Sequence, residues 1–166
     1  MFSSLVKLLK ALNSEQGSSQ LAMAISLAAI LGLTPLYSLH NFFVIFIAFS
    51  FRVNLSLLFL SYPLFALIGY LLSGLFESVG LTILQHSSLV DLWQSFFNTL
   101  IGRWSAFYYS GVIGSLVISL ILAIALYPLS KKIVDLYRIK LMKKIEKIKF
   151  IQMLKASSFW ALYEKA

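Results

Sequence analysis

Ionisable and hydrogen-bonding side chains are scarce in this chain, so the few that sit in apolar surroundings stand out. Between Gln16 and Phe51 there is no Asp, Glu, Lys or Arg. Yet the middle of that stretch holds Thr34, Pro35, Ser38, His40 and Asn41, and Arg52 and Asn54 follow it at once. An imidazole inside a lipid-like segment is costly to keep, and it usually faces a bundle interior or water. His40 can therefore meet a ligand; alternatively, His40 and Asn41 satisfy carbonyls released by Pro35, which has no N–H to give a helix. Arg52 reads either as a cationic anchor at the membrane interface or as a forked donor to a phosphate. Asn54 suits the N-cap of a helix opening at Leu55, and Thr34 and Ser38 suit bonds to nearby backbone.

Other reactive chemistry is thin. Glu77, His86 and Asp91 have no paired spacing, and the chain has two His and no Cys. That removes thiolate nucleophiles, disulfides and the usual metal motifs. No carboxylate accompanies His40, so no general acid–base pair forms around it. The expectation is no catalytic residue, no metal and no cofactor.

The elements that position these residues follow from composition. The 166 residues are 60% hydrophobic and 12% charged, against about 45–50% and about 25% in ordinary soluble domains. The windows Gln16 to Phe51, Val53 to Phe76 and Trp104 to Ser130 carry no charge, and each reaches the roughly 20 residues a helix needs to cross a bilayer. The first window is broken, however, into apolar runs at Leu21 to Leu33 and Phe42 to Phe51. At 1.5 Å per residue these reach only about 20 and about 15 Å, short of about 30 Å of hydrocarbon. A Pro-broken re-entrant hairpin fits better than two tilted spans.

The fold class expected is an all-α membrane protein: this re-entrant or tilted hairpin, two transmembrane helices, an outer amphipathic helix and a basic cytoplasmic C-terminal helix. The first full span runs from Asn54 to Phe76, kinked at Pro63. Glu77 to Arg103 forms the outer connection, where Ser88 and Asp91 resemble a capping box and Leu89, Leu92, Trp93, Phe96, Phe97, Leu100 and Ile101 repeat at helical spacing. Trp93, Phe96 and Phe97 suit interfacial anchoring or a docked partner. The last span runs from about Ala106 to Tyr127 and leaves at Pro128, with Gly111, Gly114 and Ser115 offering a small-residue face for a second helix.

Charge sets the orientation. Lys131 to Ala166 carries ten Lys and Arg against Asp135, Glu146 and Glu164, a net of +7, and Met1 to Lys10 adds +2. Under the positive-inside rule both termini face the cytoplasm. Residues 1–130 read as a helical membrane domain and 131–166 as a basic amphipathic tail on anionic lipid, with no fold motif for nucleic acid. Phe2 to Leu12 forms a short amphipathic start. Lys7 and Lys10 before an apolar run resemble a signal peptide, but the cleavage pattern is missing before Pro35, so the segment is expected to be retained.

The run from Gly32 to Asn41, continuing through Arg52, Asn54 and Leu55, resembles a domain-of-unknown-function family (family 2062) of small bacterial inner-membrane proteins. Gly32, Pro35, His40, Arg52 and Asn54 are its most specific positions, and the similarity covers about Gln20 to Leu122. The broader family has an Asn-Pro pair where this chain has Tyr62-Pro63. Some relatives are fused to glycosyltransferase domains, and the subgroup it resembles is encoded beside a large AsmA-like envelope protein thought to carry phospholipid. The resemblance implies an inner-membrane subunit that docks such a protein and helps phospholipid leave the bilayer. It places lipid contacts at Thr34, Pro35, His40, Asn41, Arg52 and Asn54, and a partner interface at Trp93, Phe96, Phe97, Gly111, Gly114 and Ser115. A stand-alone transporter or scramblase gated by the hairpin is the second reading, and an enzyme acting on a lipid-linked substrate the third.

Overall fold

Two short apolar helices, a bent pair, two short connecting helices and one long helix make up the computed structural model, which describes residues 17–141 and contains no strand among them. The amphipathic start at Phe2 to Leu12 and the basic segment past residue 141 lie outside the described residues. In order, the helices are α1 (Ser18–Leu33), α2 (Leu39–Ser50), α3 (Leu55–Leu71), α4 (Ser73–Leu84), α5 (Val90–Phe97), α6 (Leu100–Ser105) and α7 (Ser110–Leu136). A 3-10 turn at Ser87–Leu89 precedes α5, and a π turn at Tyr137–Leu141 follows α7.

α1 is the centre of the molecule. It packs against α3 on one side and α7 on another, and the eight consecutive residues Ser26 to Leu33 are all buried. A helix apolar on every side belongs in a core. Gly32 makes the α1–α3 approach possible: a Cβ there would lie 2.6 Å from Phe65 Cβ and 2.8 Å from the Tyr62 carbonyl. α1 begins at Ser18, with Gly17 as its N-cap, and the Gly17 N–H donates to Gln20 Oε1 at 3.2 Å.

The expected hairpin break is present, with α1 ending at Leu33 and α2 beginning at Leu39. The expected span from Asn54 to Phe76 is revised. α3 runs through Pro63 to Leu71, and the chain turns instead at Leu72, where α3 and α4 meet at 70°. Packing explains the change of place. α3 lies on α1, whereas α4 lies on α7, with Gly80 against the Ser110 backbone and Gly114 against the Phe76 carbonyl. One straight rod cannot serve both partners. Pro63 and Pro128 are exposed, so their rings point away from the core, and α7 continues through Pro128 rather than leaving there. α7 also passes 130–131 without a break.

The outer connection is likewise corrected. α4 extends to Leu84, and the amphipathic segment splits at Asn98 and Thr99, because the Thr99 hydroxyl accepts from Gly102 N at 3.0 Å and starts α6. The Ser88–Asp91 capping box does not form: Leu89 holds the N-cap of α5 with no side-chain bond, since Ser88 is taken up in the 3-10 turn. Residues 110–139 form one helix long and apolar enough to cross a membrane, and α3 with α4 counts as a second only if the bent pair is one span. Much apolar surface faces outward, including Phe42, Phe46 and Phe49 on α2 and Ile121 and Ile124 on α7.

Candidate functional site

The hairpin tip is built from its own polar groups. Asn41 is buried, and its amide donates to the Pro35 carbonyl at 2.9 Å and lies 3.4 Å from that of Leu36. Asn41 Oδ1 lies 3.0 Å from the Thr34 hydroxyl, which is also 2.7 Å from the Ile30 carbonyl. One hydroxyl proton serves these two acceptors. Thr34, Pro35 and Asn41 thus form a closed local network, as buried polar groups require.

His40, the next residue, behaves differently. Both of its ring nitrogens are buried and unpartnered among the described residues, and its ring lies 6.0 Å from that of Phe107. The paired reading of His40 and Asn41 as carbonyl partners therefore holds for Asn41 alone. From Phe107 an aromatic cluster runs outward: Phe107 stacks on Phe96 at 6.1 Å, and Trp93 stacks on Phe97 at 5.5 Å. Trp93 is pinned by its indole N–H, which donates to the Ile83 carbonyl at 3.3 Å. Trp93, Phe96 and Phe97 are half-buried in this cluster, joining the outer helix to the hairpin tip.

At the other end of α2, Arg52 has a left-handed backbone with φ of 50°. The Arg52 N–H bonds to the Phe49 carbonyl at 3.1 Å and the Val53 N–H to that of Ala48 at 3.1 Å. This is a Schellman ending, with Arg52 in the place that Gly usually takes. A left-handed non-Gly residue costs about 1–2 kcal/mol, and such outliers gather at functional positions. The Arg52 side chain is exposed. Two residues later Asn54 Oδ1 accepts from Leu57 N at 2.8 Å, the cap that its position before Leu55 suggests.

Between the tip, the Leu72 turn and the start of α7 lies an open cleft of about 340 Å³, lined among others by Gly32, Thr34, Pro35, Gly69, Tyr70, Ser73, Tyr109, Gly111 and Ser115. Tyr70, Ser73 and Tyr109 escape a sequence reading because three separate helices bring them together. Of the small-residue face on α7, Gly114 is filled by α4 and Ser115 is buried with its hydroxyl on the Val112 carbonyl at 3.0 Å. Gly111 alone faces open space. Among the described residues no three of His, Cys, Asp and Glu gather where a metal could bind.

The model of the family described as uncharacterized protein conserved in bacteria (DUF2062) matches residues 5–143. The chain belongs to this family. The match takes in the hairpin, the bent pair and all of α7, and it extends past the Gln20 to Leu122 stretch that carries the sequence resemblance. No curated protein and no solved structure matches this DUF2062 chain.

Proposed function

We propose that the protein is a non-enzymatic subunit of the bacterial inner membrane that loosens phospholipid from the bilayer at its hairpin and docks a large AsmA-like envelope protein that carries the lipid away. The observation that carries this reading is the hairpin. α1 has 16 residues and α2 has 12, about 24 and about 18 Å of helix, neither enough to cross roughly 30 Å of hydrocarbon. Irregular backbone at membrane depth needs internal partners, and the Thr34–Asn41 network supplies them.

In this arrangement both termini face the cytoplasm and α7 crosses the membrane. Arg52 stands at the inner interface, where its guanidinium meets lipid phosphate, and His40 offers ring nitrogens to a polar group at the tip. Asn54 holds the turn beneath Arg52. The half-buried Trp93, Phe96 and Phe97 cluster supplies the partner surface. Gly114 and Ser115 support that surface from inside the chain.

The test is purification of the full chain in mild detergent, with bound proteins and phospholipid measured together. A large periplasmic protein and phospholipid in fixed ratio support the reading, and Arg52→Ala should lower the bound lipid without dispersing the complex. A lone protein that moves lipid by itself in vesicles would instead establish a stand-alone scramblase.

A further inference from the structure

The cleft beneath the Leu72 turn differs from the hairpin's polar groups in what it can hold. Its lining includes Gly32, Leu33, Gly69, Phe76, Gly111 and Val112 and contains no charged side chain. The two buried hydroxyls in its wall are already engaged, Thr34 with the Ile30 carbonyl and Ser115 with the Val112 carbonyl. The other hydroxyls, those of Ser73, Tyr70 and Tyr109, lie on exposed residues at its edge, and the apolar remainder holds water poorly. About 340 Å³ falls in the size range of small-molecule sites. The mouth carries Tyr70 and Tyr109, both exposed, and Tyr70 is followed by exposed Leu71 and Leu72. An apolar chain can thus enter beside these hydroxyls along the outward surface of Leu71 and Leu72, with no charged group in its way.

We infer that this cleft is a binding site for a single acyl chain of a membrane phospholipid. The inference rests on the lipid-handling reading above and adds the place where the hydrocarbon part of the lipid is held. Three glycines line the cleft. Gly32 and Gly69 are fixed by helix contacts, Gly69 with the Gly32 carbonyl 3.0 Å from where its Cβ would be. Gly111 has no such constraint, since nothing lies within 4 Å of its Cβ position. A side chain at residue 111 therefore has room to enter the cleft and compete with the occupant.

The experiment places the full chain in phosphatidylethanolamine/phosphatidylglycerol vesicles containing a phospholipid with a diazirine near the end of one acyl chain. After irradiation, labelled peptides are mapped for the wild type, Gly111→Leu and Gly111→Ala. Label is expected on residues 69–73 and 109–112 in the wild type and in Gly111→Ala. In Gly111→Leu it should fall about tenfold, as when roughly 1.4 kcal/mol of chain binding is lost, while label on the outward face of α2 stays. Label confined to α2 and to the outward residues Ile121 and Ile124 of α7, and indifferent to Gly111→Leu, would overturn the acyl-chain site yet leave the lipid-handling reading standing. No label on any segment would overturn both. Gly111→Ala guards against misfolding: loss of cleft label there as well also overturns the site, because a methyl group cannot fill the space.

Discussion

Thr34 Oγ1 and Asn41 Oδ1 stand 3.0 Å apart across seven residues and close the hairpin tip from within. The same Asn41 side chain takes up the Pro35 carbonyl, so one buried amide connects the end of α1 to the start of α2. Asn41→Leu removes two side-chain bonds, though Thr34 keeps the Ile30 carbonyl and the Pro35 carbonyl keeps the Ser38 N–H. A loss of about 1–3 kcal/mol is expected, seen as a lower midpoint in thermal unfolding of the detergent-solubilised protein. An unchanged midpoint would show that the tip is held by packing alone.

Arg52 separates backbone from side chain. Arg52→Gly removes the left-handed strain and should be more stable than Arg52→Ala by about 1 kcal/mol. Both variants lack the guanidinium, so both should retain less phospholipid. Equal stability for the two would argue that the Schellman ending is not kept in solution.

Gly114 and Gly111 lie three residues apart on α7 and should respond in opposite ways. Gly114→Ala drives a methyl into the Phe76 carbonyl and should cost about 1–3 kcal/mol. Gly111→Ala meets no neighbour and should gain a few tenths of a kcal/mol to about 1 kcal/mol by lowering the entropy of the unfolded chain. Unfolding midpoints measured side by side decide it.

Asn54→Ala should cost about 1 kcal/mol, the usual loss of an N-cap, and Asn54→Ser should recover most of it. A lipid role beyond the cap would appear as lower lipid retention in Asn54→Ser despite the recovered stability.

His40→Phe removes two buried nitrogens that have no partner and keeps a ring beside Phe107. Stability should hold or rise, while phospholipid retention should fall. A marked drop in stability would instead identify the imidazole as part of the structural tip.

Much of this was legible in the sequence because a few residues have only one physical use. Pro35 between two short apolar runs marked the break, and Asn54 before Leu55 marked the cap. Gly32 stood out as a position, but its reason, the approach of Phe65 and Tyr62, depends on a helix more than thirty residues away. The turn at Leu72 had only a weak local signal, the Ser73-Gly74 pair inside an apolar run, and the direction changes because α3 and α4 pack on different helices. Pro63 and Pro128 misled for the opposite reason. Each is a strong local signal of a break, yet the helix continues through both positions. The left-handed Arg52 was invisible, since nothing in Phe51-Arg52-Val53 announces a positive φ.

α1 and α7 pack side by side, yet they have 16 and 27 residues, about 24 and about 40 Å of helix. Since α1 itself is buried, a surrounding bilayer would meet the short side through the exposed α2, 12 residues or about 18 Å, and the long side through the uncharged part of α7 up to Ser130. Mismatch of this kind costs fractions of a kcal/mol per Å. It makes the protein a gauge of its host: longer lipid chains strain the hairpin side, and shorter ones leave α7 to tilt. In such a bilayer, acyl-chain length would act on this fold before any ligand or partner arrives.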